Sequence, residues 1–158
     1  MGEFGKSLIK DYTSGFSTTP ASYTFERSLR WEGSAQARAG LAFDDTMFYA
    51  TGGVGYADIR HRFSTTNTAN AFAETANSRK AGYIVGGGIE HFFTKHVTLG
   101  VEYTYHDYKD KSDRVLVTQG TAAATNPFVL APNTSTTIRR SDPRFNWSSL
   151  RATVGFHF

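Results

Sequence analysis

Four charged residues decide which chemistry the sequence could perform: Arg38, Glu90, Glu102 and Arg151. In general acid–base catalysis, two carboxyl groups in one site can serve as the acid and the base. The same carboxylates beside two arginines form a structural network instead, because a buried charge is stable only when it is paired. We favour ion pairing inside the protein, and we predict no catalytic residue.

The histidines are the second candidates, since the chain has five of them and no cysteine. Without cysteine there is neither a disulfide nor a thiolate metal site. The histidines have no mutual spacing that is typical of metal ligands, so no metal site is predicted. His61 and His106 differ from the others because both fall near the ends of predicted strands that lead into long polar connections.

These residues lie in segments that alternate apolar and polar side chains with a period of two, which predicts β-strands. The pattern places Val97, Leu99 and Val101 on one face and Glu102 on the other. It also places Leu29 on the apolar face, and it loses its phase after Ala57, where we expect a β-bulge. The predicted strands lie near residues 28–43, 47–62, 81–93, 97–108 and 146–158.

The connections between these strands differ greatly in length. Tight turns are predicted at Asp44-Asp45 and Thr94-Lys95, whereas long polar segments run from Ser64 to Arg79 and from Lys109 to Arg144. Short turns on one side and long loops on the other are typical of outer-membrane barrels, whose long loops are extracellular. Residues 1–27 are predicted to be another outer loop, and residues 1–158 a single domain.

Composition agrees with this prediction and excludes other classes. Glycine occurs 15 times, aromatic residues make up 15% of the chain, and no apolar stretch is long enough for a membrane helix. The net charge of +3 is spread along the chain, so nucleic-acid binding is not expected. We predict an all-β, antiparallel, up-and-down transmembrane β-barrel, because only a closed barrel lets strands cross a membrane.

The order of several short motifs carries a family resemblance. The sequence resembles the small opacity-like outer-membrane β-barrel family, which includes surface antigens and hemin-binding proteins of alphaproteobacteria. The resemblance implies an eight-stranded barrel of which this chain, truncated at its N-terminus, would hold about five C-terminal strands. The motifs are Leu29-Arg30-Trp31-Glu32-Gly33, Tyr49-Ala50-Thr51-Gly52-Gly53, Gly86-Gly87-Gly88-Ile89-Glu90, Val101-Glu102-Tyr103-Thr104-Tyr105 and Arg151-Ala152-Thr153-Val154-Gly155-Phe156-His157-Phe158.

The resemblance also implies partners and a location. Val154, Phe156 and Phe158 are similar to the C-terminal signal that the barrel-assembly machinery reads. The hemin-binding members imply hemin as a cofactor at His61 or His106. Location in the outer membrane of a Gram-negative bacterium implies contact with membrane lipid and lipopolysaccharide, whose phosphates suit basic residues at the outer ends of the strands. The outer loops would meet host ligands or antibodies.

We therefore predict a surface protein of the outer membrane that has a structural and recognition role and no catalysis. Two alternatives stay open at this point: a soluble β-barrel that binds a small apolar ligand, and a hemin-binding outer-membrane receptor. The soluble alternative requires a cavity lined by apolar residues. The inward charges Arg38, Glu90, Glu102 and Arg151 oppose it.

Overall fold

The computed structural model describes residues 2–5 (as backbone only), 9–16, 21–74 and 78–156. Ten strands form in these ranges, and none of the described segments is a helix that is long and apolar enough to cross a membrane. The strands are β1 (Gly2–Gly5), β2 (Lys10–Phe16), β3 (Ser22–Phe43), β4 (Thr46–Thr65), β5 (Ala71–Glu74), β6 (Ser78–Thr94), β7 (Val97–Lys109), β8 (Arg114–Thr118), β9 (Ser135–Arg139) and β10 (Arg144–Phe156).

The five strands expected from the alternation correspond to β3, β4, β6, β7 and β10. They pair in that order, each antiparallel to the next, and the sheet curves into a nearly closed barrel. The all-β, up-and-down prediction is confirmed. The turn between β3 and β4 is tight because Asp44 adopts a left-handed conformation with φ of 49°, which Asp tolerates better than most residues.

The interpretation of residues 1–27 as an outer loop differs from the structure. The strand β1 pairs with Glu32–Ala35, and β2 pairs with Ser22–Ser28, so both extend the sheet beside β3. The polar composition of this segment suggested a loop. A polar strand is stable here because one row of its backbone groups pairs with β3, which would otherwise present an open edge.

A β-bulge at Arg30 divides the barrel into two halves. Leu29 pairs with Ile59 and Trp31 pairs with Asp58, so Arg30 is an extra residue in β3. One extra residue exchanges the two faces of a strand. Odd-numbered residues of β3 therefore point inward before Arg30, and even-numbered residues point inward after it.

The bulge corrects two expectations. Leu29 was predicted on the outward face, but it is only 5% exposed and packs inside against Ala57, Ile59 and Tyr108. The irregularity expected in β4 after Ala57 lies in β3 instead. The inward phase of β4 continues without interruption through Ala57, Ile59, His61 and Phe63. The inward-facing residues of β4 change from Gly53 and Gly55 to Ala57 and Ile59. In the sequence this change from glycine to apolar residues looks the same as a shift of the strand by one residue.

The long connections fold over the outer end of the barrel. The strands β5, β8 and β9 form a separate antiparallel sheet of three strands, drawn from both long polar segments. Val115 and Phe72 of this sheet pack against Tyr23, Phe25 and Phe63 of the barrel strands. The outer end is thus closed by an apolar core, and the expected loops are partly ordered structure.

Three asparagines fix the loops that lead into this outer sheet. Asn67 Nδ2 donates to Tyr23 Oη and to Asn70 Oδ1, each at 3.0 Å. Asn70 in turn exchanges hydrogen bonds with Asn126, at 3.2 and 3.4 Å. These contacts join the two long connections, because Asn70 precedes β5 and Asn126 lies between β8 and β9.

Candidate functional site

The lower half of the barrel interior contains an ionic cluster that we call the interior charge network: Arg38, Glu102 and Arg151. Glu102 Oε2 accepts from Arg38 Nη2 at 2.5 Å, and its Oε1 accepts from Arg151 Nη2 at 2.6 Å. Glu102 is 2% exposed, whereas the arginine side chains are 29% and 31% exposed. Both carboxylate oxygens of Glu102 are thus bonded to guanidinium groups, an arrangement that is typical of a structural ion cluster.

The structure thus brings together three of the four charged residues that the sequence singled out. The fourth, Glu90, lies on the same inward face, opposite Gly100 of β7. Among the described side chains it forms no ion pair with Arg38 or Arg151. Arg38 also lies over the ring of Tyr49, 4.6 Å from its centroid, which adds a cation–π contact to the network.

Interior glycines make room for two of the large rings inside the barrel, those of Tyr49 and Tyr108. A β-carbon added to Gly88 would lie 2.5 Å from the ring of Tyr49, and one added to Gly82 would lie 2.5 Å from the ring of Tyr108. Gly82 and Gly88 thus provide the space that these aromatic side chains occupy. Tyr108 uses its position to donate a short hydrogen bond to Glu32.

On the outside, a belt of exposed apolar residues surrounds the lower half of the barrel; we call it the apolar band. On β7 it extends over nine residues, from Val97 to Tyr105, which is about the length that a tilted strand needs to cross the hydrocarbon core. Its members include Leu41, Phe43, Phe48, Val54, Tyr56, Tyr83, Val85, Ile89, Leu99, Val101, Tyr103, Leu150, Val154 and Phe156.

The apolar band ends abruptly at its upper edge. Tyr83 on β6 and Trp31 on β3 lie at this edge, and charged pairs follow immediately. Arg30 Nη1 lies 3.4 Å from Asp58 Oδ2, and Arg144 Nη1 lies 3.6 Å from Asp107 Oδ2. Aromatic rings followed by charges at one level are typical of a membrane interface.

Comparison with known proteins agrees with this geometry. Residues 2–158 match the family model described as an outer membrane protein beta-barrel domain. The chain belongs to this family. It is 34% identical over 83 residues to a 31 kDa outer-membrane immunogenic protein of Brucella melitensis, covering 52% of the chain and 35% of the relative. It is 30% identical over 86 residues to a 22 kDa outer membrane protein of Rhizobium leguminosarum, covering 54% and 37%.

The chain thus matches about a third of the length of these curated relatives. No solved structure matches it significantly. The family assignment confirms both the resemblance to outer-membrane β-barrels and the location in the outer membrane of Gram-negative bacteria. The apolar band is accordingly the lipid-facing surface of the barrel, and β5, β8 and β9 lie beyond one edge of it.

Two residues of the predicted assembly signal can be placed. Val154 and Phe156 are exposed on the outward face of β10, within the apolar band. Phe158 lies outside the described residues. Recognition of these residues by the barrel-assembly machinery stays a prediction.

Hemin binding at His61 and His106 also stays a prediction, and the geometry gives it little support. His106 uses both ring nitrogens, because Nδ1 donates to Glu32 at 2.8 Å and Nε2 lies 3.0 Å from Thr104 Oγ1. Its ring stacks on Trp147 with centroids 4.9 Å apart. His61 is buried and its Nε2 donates to Asp110 at 2.6 Å. An iron ligand needs an open nitrogen, which His106 does not offer.

Asp110 was missed by the sequence analysis, because it stands in a polar connection that gave no pattern. It follows β7 and is 2% exposed. Besides His61, its carboxylate accepts from Ser78 Oγ at 3.2 Å and from the Ser112 amide at 3.1 Å, and Lys80 lies 3.9 Å away. Burial alone would raise the pKa of Asp110, but the hydrogen bonds and charges of these groups lower it on balance.

The lowered pKa of Asp110 predicts how stability depends on pH. A carboxylate whose pKa is lower in the folded state stabilises the fold above its unfolded pKa, and this contribution is lost as the pH falls through the folded value. We expect Asp110→Asn to lower the free energy of unfolding by about 1.5–3 kcal/mol at neutral pH. The difference from the unmodified chain should shrink as the pH falls from about 3.9, the usual pKa of an aspartate, through the lower pKa of Asp110 in the folded chain, as measured by urea unfolding in detergent micelles.

Asp45→Asn is the matched control for this prediction, because Asp45 is exposed in the turn between β3 and β4. It should change stability by no more than about 0.5 kcal/mol at any pH. A loss for Asp110→Asn that has the same size in acid and at neutral pH would show that the charge of Asp110 does not stabilise the outer end.

A second network near the outer end was also missed. Arg27 is fully buried, and its Nη2 donates both to Asp11 at 2.6 Å and to the carbonyl oxygen of Arg144 at 2.6 Å. Arg140 donates to the same Asp11 oxygen at 2.7 Å. These bonds join β2, β3 and the start of β10 across the barrel. The sequence alone does not show that the charged side chain of Arg27 points inward, because this depends on the bulge at Arg30.

Proposed function

We propose that this outer-membrane barrel is a non-catalytic structural protein that also presents a recognition surface outside the cell. The observation that supports this most strongly is the change of the outward face from apolar to charged at one level on neighbouring strands. That change positions the barrel in a bilayer and leaves β5, β8 and β9 above it. The proteins that the chain resembles carry names of outer-membrane proteins, one of them immunogenic.

The filled interior supports a structural role over catalysis or transport. Glu102 is neutralised by two arginines in the lower half. In the upper half, Leu29, Ala57, Ile59, Tyr108 and Phe145 pack into an apolar core. A small barrel whose interior is filled by side chains leaves no aqueous path. The exterior of the barrel argues against the soluble-barrel alternative. A soluble barrel would carry polar side chains on the outer surface where the apolar band is exposed.

Charged residues above the apolar band support contact with lipopolysaccharide. Arg60 and Arg62 of β4 and Arg79 of β6 are exposed on the outward face, close above the aromatic edge. Phosphate groups in the outer leaflet are suitable counter-ions for them. Host ligands or antibodies would meet the outer sheet and its connections instead, because these project farthest from the bilayer.

Single-cysteine labelling tests the proposed orientation cleanly, because the chain contains no cysteine of its own. A membrane-impermeant maleimide applied to intact cells that express the chain should label Arg62→Cys. It should label Lys95→Cys only after the outer membrane is permeabilised, since Lys95 lies in a periplasmic turn. Leu150→Cys should react only after the protein is unfolded.

Leu150 decides the outcome because its side chain is 74% exposed on the isolated chain. Only surrounding lipid would protect it from the reagent. If folded Leu150→Cys reacted as fast as Arg62→Cys, the apolar band would face water and the proposed function would be wrong.

A further inference from the structure

A pocket of about 480 Å³ lies at the outer end of the barrel; we call it the outer pocket. Its walls are the connection from β7 to β8, at residues 110–113, and the connection from β9 to β10, at residues 140–143. The Asp110 amide donates to the Pro143 carbonyl oxygen at 2.6 Å, which ties the two connections together. The volume is within the range of pockets that hold small ligands.

The rim of the outer pocket is strongly basic. Arg114 and Arg139 are exposed and stand directly opposite each other in the pairing of β8 with β9. Like charges at such positions repel each other. Lys111 and Arg140 also line the pocket, so that four basic side chains face two acidic ones, Asp110 and Asp113. The excess of positive charge favours an anionic ligand.

The floor of the outer pocket has polar atoms that lack partners within the described protein. Asp113 is 6% exposed, and its Oδ2 has no hydrogen-bond partner. Arg140, whose side chain is 6% exposed, likewise has an unpartnered Nε. A buried polar atom without a partner costs free energy, and a ligand that supplies the partner recovers it. The floor therefore offers one acceptor and one donor.

We propose that the outer pocket binds a phosphorylated saccharide. The phosphate lies between Arg114 and Arg139 and receives a charge-assisted bond from Arg140 Nε. A sugar hydroxyl donates to Asp113 Oδ2. Inorganic phosphate would satisfy the arginines but leave Asp113 Oδ2 without a donor, and an unphosphorylated sugar would reach Asp113 but bring no negative charge to the rim. The proposal goes beyond the surface role described above, and it rests on that role only because the pocket must face the cell exterior.

The titration of Asp113 agrees with this arrangement. Burial raises the pKa of Asp113 and nearby Asp110 raises it further, while the charges of His61, Arg140 and Arg27 oppose the shift. The carboxylate is therefore destabilised when nothing donates to it. A hydroxyl donor relieves that penalty, which explains why an acidic residue belongs on the floor of a basic pocket.

Two sources share this ligand chemistry: the phosphorylated core sugars of lipopolysaccharide and a free sugar phosphate. Along β7 the pocket lies roughly 15 Å above Tyr105 and the edge of the apolar band, within reach of sugars that project from the outer leaflet. Competition between a soluble probe and membrane-bound lipopolysaccharide distinguishes the sources.

The test is isothermal titration of the folded chain in detergent micelles with glucose 6-phosphate, glucose and inorganic phosphate. Glucose 6-phosphate is expected to bind about tenfold more tightly than inorganic phosphate, and glucose not measurably. The double variant Arg114→Gln/Arg139→Gln should weaken binding of both phosphates by about tenfold or more. Asp113→Asn should weaken only the sugar phosphate. Lys95→Gln, which removes a charge at the opposite end, should change nothing.

In nanodiscs, displacement of the probe by lipopolysaccharide but not by its dephosphorylated form assigns the site to the lipid-linked sugar. Failure to displace it assigns the site to a free sugar phosphate. The proposal is overturned if the double variant binds as tightly as the unmodified chain, or if glucose 6-phosphate binds no better than phosphate. Cysteine labelling of the same preparations distinguishes failure of this proposal from failure of the proposed function. If Leu150→Cys stays unreactive in the folded chain, the proposed membrane role stands even when no sugar phosphate binds.

Discussion

Replacing Glu102 by glutamine is expected to lower the free energy of unfolding by about 3–5 kcal/mol. The substitution keeps the size of the side chain but removes the negative charge between Arg38 and Arg151. The two guanidinium groups would then lose the carboxylate that lies between them. Because both arginines are about 30% exposed, water would relieve part of the cost, which favours the lower end of that range. Urea unfolding in detergent micelles measures the change.

Glu90→Gln is the matched control, because Glu90 lies on the same inward face but is not a member of the interior charge network. We expect it to change stability by less than about 1 kcal/mol. The triple variant Arg38→Met/Glu102→Leu/Arg151→Met should recover most of the loss, since an apolar replacement of a whole buried ion cluster is often neutral. Equal losses for Glu102→Gln and Glu90→Gln would show that the network does not stabilise the barrel.

The interior charge network and the upper apolar core have complementary roles. In the lower half the lipid-facing surface must be apolar, so the hydrophobic effect cannot drive side chains inward there. Ion pairs and hydrogen bonds fill the interior instead. Above the bilayer the outside faces water, and an ordinary apolar core becomes favourable again. The bulge at Arg30 lies at this transition, where it turns Leu29 and Arg27 inward.

The strands β7 and β10 could be predicted from the sequence in detail. Their alternation is regular, and one face of each must meet lipid, so the register has no freedom. The inward position of Glu102 and the outward position of Val101 follow from this alternation directly. The fold class followed from the alternation of all five predicted strands together with the lengths of their connections, and the extracellular side of the barrel stays a prediction.

The bulge and the outer networks could not be predicted, for physical reasons. Two apolar residues, Leu29 and Trp31, flank Arg30, and they satisfy an unbroken alternation equally well. Arg27, His61 and Asp110 depend on contacts between residues that are far apart in sequence; Arg27 bonds to the backbone of Arg144. No local pattern records such a contact, and water-facing strands such as β2 are as polar as loops.

Replacing Val101 by arginine is expected to destabilise the barrel by about 2–4 kcal/mol in phospholipid vesicles, because a charge would enter the centre of the hydrocarbon core. Val101 lies in the middle of the nine-residue band of β7, and its neighbours Ile89 and Ala152 give it no polar partner. Val97→Arg is the matched control on the same face and strand. It lies at the lower edge, where arginine reaches the headgroups and should cost no more than about 1 kcal/mol. Denaturant unfolding in vesicles compares the two, and equal costs would mean that depth along β7 does not govern them, which would contradict the membrane orientation.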